Sequence, residues 1–364
     1  MRTQSSIGGV PAMALVWVSP ITSLQTRQVC AKMNDDDARF ASYVRLFLNT
    51  LKRELDARNI RHETADEAIA YLAERDINGL RKIIDFAISR TFDRTIPETP
   101  LGDRIYTHRR FVMRLWRLPT GNMWFHDVMY RIKTGDEITN PLRVFVSDKE
   151  FSKLYIKATV GEKYVVPTID VLRSAEQVDD YDFPETCVLK PTHGYAEIIF
   201  RIDGEELDRS KIKSWFGMNF YQGSREANYK TLKPKVIIEP FVAGLERATD
   251  YKFFCVDGEP RTVFVNDYQD GVKTRRYLDL DWNELPFVEY GVPLLEKEVP
   301  CPENFAEMID ITRKLSTPFG FVRTDLYSDG KTCKVGELTN CHAAGDRPFV
   351  PKSDHLAFSK LLFG

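Results

Sequence analysis

The segment 321–340, FVRTDLYSDGKTCKVGELTN, predicts two strands joined by a turn, because apolar runs flank an Asp-Gly pair. Asp325 lies in the first strand and Glu337 in the second, each among apolar neighbours. A carboxylate buried in a strand needs a cation beside it, because an unpaired charge is costly in apolar surroundings. Two such carboxylates, with Asn340 close behind, are the hard oxygen ligands that Mg²⁺ prefers. The segment predicts a magnesium site or, alternatively, an edge hairpin whose carboxylates face solvent.

The two carboxylates can share a metal only if the hairpin departs from its simplest turn. Side chains alternate between the two faces of a strand. With a two-residue turn at Asp329-Gly330, Glu337 would lie opposite Val322, and Asp325 would then point to the other face. A shared metal therefore requires a loop with an odd number of residues, such as three or five, or a β-bulge that restores the phase.

Four further charged residues stand at the ends of predicted elements upstream. Lys190 closes the strand-like TCVLK before a Pro-Thr-His-Gly turn, and Glu239 closes VIIE. Asp250 opens DYKFFCV, and Lys149 precedes a short helix. Lysines can hold phosphate oxygens as point charges, and an acidic residue beyond a hydrophobic strand can accept ribose hydroxyls. These four residues precede the two carboxylates that could bind magnesium, and together the six suit the binding of a nucleoside triphosphate.

These residues and their surroundings resemble the ATP-grasp ligases, and more narrowly the TupA-like family, which is named for a teichuronic acid biosynthesis protein. The resemblance runs from about Trp124 to the C-terminus. Its most specific stretches are KLYIKATVGEKYVVPT (153–168), VLKPTHG (188–194), DYKFFCVDGEP (250–260), YLDLDWNELPF (277–287), and FVRTDLY with GELT (321–339). Each is weak alone, but all five occur in the family's order. The resemblance implies an α+β chain with an ATP-grasp fold, in which two α+β subdomains clasp ATP.

The resemblance also implies which residues bind the nucleotide: Lys149, Lys190, His193, Glu239, Phe241, Val242 and Asp250. The two lysines would contact the phosphates, and Asp250 would meet the ribose. The glutamate and the two residues after Pro240 would line the adenine pocket. His193 lies beside the phosphate loop, where it would contact phosphate or substrate, or only stabilise the turn.

Catalytic and metal-binding roles are implied further along the chain. The resemblance assigns the catalytic groups to Arg275, Arg323 and Lys252. The two arginines would face the transferred phosphate and the acyl group, for which a guanidinium offers a planar fork. The metal, Mg²⁺ or Mn²⁺, would be bound by the two hairpin carboxylates with Asn340.

The chain departs from the family's pattern in the phosphate loop. Where the family has small residues and glycines whose amides wrap phosphate, this chain reads Tyr195-Ala196-Glu197. A carboxylate 4 Å from a phosphate charge is repelled by about 4 kcal/mol at an effective dielectric near 20. We therefore expect either that Glu197 turns away or that this loop does not cover ATP in the usual manner.

A second departure follows Glu337. The superfamily's asparagine two positions on is replaced by Thr339, with Asn340 next, and the usual Pro-Gly turn by His342-Ala343-Ala344-Gly345. These changes bear on substrate specificity more than on catalysis.

Composition excludes some classes of function. A net charge of −2 over 364 residues offers no electrostatic basis for bulk nucleic-acid binding. Six cysteines without a CxxC pair argue against a zinc site and favour a reducing, cytoplasmic compartment. No stretch is long enough to cross a membrane. The basic run THRRFVMRLWRL (107–118) predicts an amphipathic helix whose basic face is solvated. Alternatively, it contacts an anionic substrate or lipid headgroups at the inner face of the membrane.

Four regions are expected. Residues 1–32 lack a periodic pattern and are expected to be a poorly ordered extension, and residues 33–146 form a helical N-terminal region. Residues 147–239 would be the ATP-grasp subdomain with the phosphate-binding lysines, and residues 240–364 the catalytic, metal-binding subdomain. Asp-Gly pairs between apolar runs indicate hairpins and hence antiparallel sheets.

The predicted function is that of an ATP-dependent carboxylate–amine ligase, which forms an amide through an acyl phosphate. The resemblance implies a role in making or modifying a bacterial surface polysaccharide. The partners would be ATP, a carboxylate-bearing acceptor such as a uronic acid or an amino acid, and an amine. Two alternatives remain: a phosphotransferase on the same scaffold, in which a sugar hydroxyl attacks, and a nucleotide-binding protein whose site has decayed.

Overall fold

The computed structural model describes residues 35–60, 67, 71–72, 74–241, 249–269 and 272–364. The predicted poorly ordered extension, residues 1–32, lies outside these ranges, as does Val242. The chain divides into two compact units, residues 1–97 and 98–364, and each is described by itself.

The first unit contains the helices α1 (Asp35–Ala57) and α2 (Ile77–Thr95). Asp76 caps α2, because its carboxylate accepts a hydrogen bond from the Gly79 amide at 2.8 Å. Apolar residues of both helices form a small core that includes Leu51, Leu55, Leu80, Ile83 and Ala87. The predicted helical N-terminal region is therefore confirmed.

The second unit begins with four helices, α3 (Pro100–Leu115), α4 (Phe125–Thr134), α5 (Pro141–Ser147) and α6 (Lys149–Val160). Pro100 stands in the first turn of α3 and Pro141 in the first turn of α5, where a missing amide proton costs nothing. None of the described helices is both long and apolar enough to cross a membrane.

A four-stranded sheet follows, in the order β1-β4-β2-β3. Its strands are β1 (Asp170–Leu172), β2 (Cys187–Pro191), β3 (Ile199–Arg201) and β4 (Val236–Glu239). Between them lie three short helices, α7 (Gln177–Asp180), α8 (Arg209–Ser214) and α9 (Phe220–Ser224). Leu189, Ile238 and Trp215 lie in the apolar core that packs this sheet against α8.

The last part of the chain forms a six-stranded sheet in the order β10-β9-β5-β6-β7-β8. Its strands are β5 (Thr249–Val256), β6 (Glu259–Gln269), β7 (Val272–Leu278), β8 (Glu284–Leu285), β9 (Phe321–Ser328) and β10 (Cys333–Thr339). Two helices complete the unit, α10 (Phe305–Ser316) and α11 (Asp354–Phe363). Neighbouring strands pair antiparallel throughout both described sheets, which confirms the predicted α+β class.

The two faces of the larger sheet differ in chemistry, because side chains alternate along each strand. One face is apolar, mostly aliphatic, and is buried beneath α10. The other face is aromatic at one end, where Phe254, Phe264 and Phe321 pack with α4 and α11. At its other end the same face carries charged side chains, and this end forms the site described next.

Candidate active site

The hairpin of β9 and β10 places its two carboxylates side by side. Asp325 and Glu337 are directly opposite each other in the ladder. The loop contains four residues, 329–332, rather than the three or five considered from the sequence, because Ser328 pairs with Cys333. A β-bulge between Val335 and Glu337 then shifts the register by one residue and restores the phase. Both carboxylates consequently face the same side of the sheet.

The bulge is made possible by Gly336. A Cβ atom at this position would come within 2.6 Å of the Tyr327 ring on the partner strand. The ring therefore occupies the space that any other side chain would need.

Asp325 is buried and bound by two cations. Arg323 donates from Nε at 2.6 Å and from Nη2 at 2.7 Å to the two carboxylate oxygens, and Lys252 on β5 contacts Oδ2. Burial alone would raise the pKa of Asp325, but Arg323 and Lys252 outweigh it and hold the pKa below its ordinary value. Lys252 also pairs with Asp250 at 2.8 Å, so one lysine bridges two predicted site residues.

Lys149 approaches the other hairpin carboxylate. Its Nζ lies 3.9 Å from Oε1 of Glu337, and it donates to the Gly194 carbonyl. Lys149 is the first residue of α6, whose N-cap Asp148 accepts from two backbone amides. Asp148 is in turn bound by the buried Lys235 at 2.9 Å. These contacts fix the N-terminus of α6, so that Lys149 lies beside the hairpin of β9 and β10.

Glu239 lies between two lysines at the end of β4. Lys190 is 2.9 Å from one carboxylate oxygen, and Lys153 is 2.6 Å from the other. Burial would raise the pKa of Glu239, but the two lysines lower it below its ordinary value. Lys153 was not predicted as a site residue. Phe241, which follows, is half-buried and packs against the Phe200 ring at 5.8 Å.

Glu197, the carboxylate in the predicted phosphate loop, contacts two other side chains. Its carboxylate accepts from the Trp215 indole at 3.2 Å and lies 3.7 Å from Lys211, so it turns away from the site. His193 is buried and packs edge-on against Phe220. Burial lowers the pKa of His193 below its ordinary value.

Arg275 and Arg323 are joined through two residues that sequence reasoning did not assign to the site. Glu289 binds Arg275 at 2.7 Å and His342 Nε2 at 2.7 Å, and Arg323 donates to His342 Nδ1 at 2.8 Å. Since Nδ1 accepts from a guanidinium, the imidazole proton is on Nε2 and is donated to Glu289. Burial lowers the pKa of His342 to about 4, so the ring is neutral.

Asn340 lies apart from this group. It is buried, its Oδ1 accepts from Arg143 at 2.8 Å, and its Nδ2 donates to Ser147 at 3.0 Å. Both ends of its amide are thus bound to α5, which leaves the two hairpin carboxylates as the remaining predicted metal ligands.

A cleft of about 640 Å³ opens over the charged end of the sheet. Its lining includes five predicted residues, Asp250, Lys252, Arg275, Arg323 and Glu337. Six charged residues were not assigned to the site beforehand: Arg110, Arg114, Glu226, Lys273, Asp346 and Arg347. Seven lysines and arginines face four aspartates and glutamates across the described lining. The excess of cations suits anionic ligands.

Three of the unassigned cations could have been anticipated. Arg110 and Arg114 belong to the basic run 107–118, for which contact with an anionic substrate was one alternative. Lys273 is two residues before Arg275 on β7, and residues two apart share a face. Burial first, and then the neighbouring cations, lower the pKa of Lys273 to about 8.

The chain is similar to several solved structures of ligases and a synthetase. It shares 16% identity with D-alanine–D-alanine ligase from Bacillus anthracis, over 60% of this chain and 65% of that chain, with a TM-score of 0.34. It shares 13% identity with the ATP-grasp ligase PsnB complexed with minimal precursor, over 55% and 54% of the two chains, with a TM-score of 0.32. It shares 16% identity with D-cycloserine synthetase DcsG, over 62% of this chain and 72% of that chain, with a TM-score of 0.34. The first two alignments cover less than two thirds of those ligases.

No curated protein matches the chain. A family model, described as TupA-like ATPgrasp, matches residues 128–360. This match covers more than half of the sequence and includes both sheets and the charged hairpin. The chain therefore belongs to the TupA-like ATP-grasp family, as its sequence predicted.

Proposed function

We propose that this protein is an ATP-dependent carboxylate–amine ligase. The observation that carries the proposal is the bulged hairpin, which turns Asp325 and Glu337 to one face beside a cation-lined cleft. A surface hairpin with no function would not require a glycine bulge to align two carboxylates. Membership of an ATP-grasp family supports the same assignment.

The two aligned carboxylates fit a hard divalent cation. Asp325 and Glu337 would hold Mg²⁺ or Mn²⁺, since carboxylate oxygens are the donors that these ions prefer. When bound, the ion would neutralise charge on the phosphates of ATP. Lys252 and Arg323 now neutralise Asp325, so we expect them to turn toward the anionic substrates when the cation is present.

The nucleotide would lie between the two sheets. Lys149 and Lys190, with Lys153, would contact phosphate oxygens as point charges. Lys149 lies near Glu337, and Lys190 and Lys153 both pair with Glu239. The adenine pocket would involve Glu239, Phe241 and Val242, and the ribose would meet Asp250. His193, which is buried, would support the proposed phosphate loop.

The acid substrate would bind at the cationic part of the cleft. Arg275 and Arg323 present guanidinium groups that can hold a carboxylate or a transferred phosphoryl group. Lys252 lines the same cleft. The carboxylate oxygen would attack the γ-phosphorus of ATP, giving an acyl phosphate and ADP. An amine would then displace inorganic phosphate and form the amide.

The family's name suggests that the acid belongs to a bacterial surface polysaccharide, such as a uronic acid, or that it is an amino acid. The test is ATP-dependent release of inorganic phosphate with a panel of uronic acids and amino acids, combined with mass analysis of the products. A ligase releases phosphate and yields an amide. A phosphotransferase would instead leave phosphate on the acceptor, and a decayed site would bind or release nothing.

Lys190→Ala is expected to weaken ATP binding at least about tenfold, equivalent to about 1.4 kcal/mol. The side chain lies at the end of a buried strand beside Lys149 and the phosphate loop. The measurement is calorimetric titration with ATP and Mg²⁺. Lys157→Ala is the control, because Lys157 is on the exposed side of α6 and, among the residues that the structure describes, its ion-pair partner is the exposed Glu162. Equal affinity of the Lys190 variant and the parent would remove Lys190 from the nucleotide site.

Gly336→Ala is expected to lower phosphate release at least about tenfold while the protein remains folded. The added methyl group must displace Tyr327 or straighten the bulge, and either change moves Glu337 relative to Asp325. Gly121→Ala is the matched control, because nothing lies within 4 Å of a Cβ atom at that glycine. Full activity of the Gly336 variant would show that the bulge is not needed to align the carboxylates.

A further inference from the structure

Glu226 lines the cleft from outside the two sheets. It precedes the short 3₁₀ helix Ala227–Tyr229 and is only 4% exposed. Among the residues that the structure describes, no lysine, arginine or histidine is within ion-pair distance of its carboxylate. Its backbone amide donates to the Ser224 hydroxyl at 3.3 Å.

The other cleft acids all have cationic partners. Asp250 pairs with Lys252 at 2.8 Å, Asp346 with Arg110 at 2.6 Å, and Glu337 with Lys149 at 3.9 Å. Among the acids that line the cleft in the described part of the chain, Glu226 is therefore the one that has no ion-pair partner.

Lys133, whose charge acts on Glu226, donates instead to the Ala344 carbonyl at 3.1 Å. A buried carboxylate without a bonded cation is costly to keep. An acid of this kind at a substrate cleft is therefore a candidate for binding a cationic ligand.

We propose that Glu226 binds the ammonium group of the amine substrate and removes its proton. This inference rests on the ligase function proposed above. It assigns the cleft's two kinds of charge to the two substrates: Arg275 and Arg323 to the acid, and Glu226 to the amine.

The proton balance gives Glu226 a definite task. An alkyl amine enters as an ammonium ion, whose nitrogen lone pair is held by a proton and cannot attack. Glu226 accepts that proton and becomes a carboxylic acid. The free amine then attacks the acyl carbon, so the C–N bond forms and the C–O bond to phosphate breaks. The second amine proton leaves with inorganic phosphate, and Glu226 returns its proton to solvent.

The surroundings of Glu226 favour this role. Burial, and then the nearby acids Asp346 and Glu337, raise the pKa of Glu226, while Lys133 and Ser224 oppose the shift. A carboxylate with a raised pKa is a stronger base. Burial, and then the charge of Glu226, also raise the pKa of the Tyr229 hydroxyl, which lines the same cleft.

Hydroxylamine separates this role from the rest of the reaction. It is largely unprotonated at neutral pH, so it can attack an acyl phosphate without a base, and the hydroxamate product is measured by its iron complex. Glu226→Gln in the full chain is expected to keep hydroxamate formation within about twofold of the parent. Amide formation from amino acids at neutral pH should fall by at least about a hundredfold.

Two further variants complete the experiment. Glu226→Asp keeps a carboxylate and is expected to recover at least about tenfold of the lost amide formation. Asp346→Asn is the matched control, a cleft acid already paired with Arg110, and it should change the rates with both nucleophiles by the same factor.

The outcomes are distinct. Equal losses with hydroxylamine and amino acids in a folded Glu226→Gln protein overturn the proposal. If that variant melts far below the parent, Glu226→Asp decides by the same comparison: a loss confined to amino acids supports the role, and equal losses overturn it. If the parent chain forms neither hydroxamate nor free phosphate with any acid tested, the ligase function fails and the role of Glu226 with it.

Discussion

Asp325→Asn and Glu337→Gln are each expected to lower ATP-dependent phosphate release by at least about a hundredfold. Each substitution keeps the size of the side chain but removes one of the two charges that would hold the divalent cation. Because the bulge places both carboxylates on one face, the cation would be held between them, and losing either charge leaves half of the proposed ligand pair. Chelation of divalent cations by EDTA should abolish release in the parent chain. The measurement is the phosphate release assay with the acid that gives the highest parent rate.

Asp329→Asn is the matched control for both substitutions. Asp329 is at the tip of the same hairpin, where its Oδ1 accepts from the amides of Lys331 and Thr332. The amide oxygen of asparagine can accept the same bonds, so activity should remain at the parent level. Retained activity in Asp325→Asn or Glu337→Gln would exclude that residue from the metal site. Thermal melting separates lost chemistry from lost folding, which matters most for Asp325 because it neutralises Lys252 and Arg323.

The phase of this hairpin could be anticipated, because alternation is a property of the strand itself. A β-bulge was one of the two expected ways to restore the phase, but the sequence does not decide between a bulge and an odd-numbered loop. An Asp-Gly pair is compatible with loops of several lengths, and here Asp329 closes a four-residue loop with its side chain. The position of the bulge depends on the Tyr327 ring, which fills the space beside Gly336. That is a tertiary contact, and local sequence does not encode it.

Site residues on strands were easier to anticipate than those on irregular segments. Asp250, Lys252 and Arg275 follow from strand periodicity and family resemblance, and all line the cleft. Glu226 and Glu289 come from segments without a periodic pattern, so their direction depends on how the chain folds back. Asn340 stands one residue past the end of β10, where alternation no longer applies, and Arg143 determines its direction.

The family resemblance anticipated the fold better than the site. Two antiparallel sheets follow from apolar runs with Asp-Gly turns, and that pattern survives large changes in sequence. The direction of Glu197 illustrates what remains undetermined. Repulsion from phosphate predicts only that it avoids the nucleotide, whereas the Trp215 indole and Lys211 determine where it goes.

The protein is also expected to lose stability steeply between pH 6.5 and pH 4, because it buries neutral histidines. His126 donates from Nε2 to the Arg347 carbonyl at 2.7 Å, and its Nδ1 lies 2.8 Å from Nδ1 of His355. His355 Nε2 is 2.9 Å from a guanidinium nitrogen of Arg117 and must accept from it. His355 therefore carries its proton on Nδ1 and donates to His126. This chain of bonds has no room for a second proton on either ring.

The sign of the pH effect follows from the depressed pKa values. Burial lowers the pKa of His126 and of His342 to about 4, whereas the ordinary histidine value is 6.5. Between these values the unfolded chain binds protons that the native chain does not, so the free energy of unfolding falls as the pH falls. A shift of this size corresponds to about 3 kcal/mol for each ring, a large part of the stability of an ordinary domain. Above pH 6.5 the rings are neutral in both states, so the full contribution of the neutral histidines to the free energy of unfolding is present.

Urea unfolding at pH 7.5, 6, 5 and 4.5 measures this loss directly. His126→Gln removes one titrating ring, and its side chain can still donate to the Arg347 carbonyl. The variant should therefore be less stable than the parent at pH 7.5 but should lose about 2 kcal/mol less between pH 6.5 and pH 5. A variant whose free energy of unfolding runs parallel to that of the parent would show that His126 takes up no proton on unfolding. A parent curve that is flat from pH 7.5 to pH 4.5 would mean that these rings take up protons in the native protein just as they do in the unfolded chain, and the neutral tautomers assigned to His126, His355 and His342 would then be wrong.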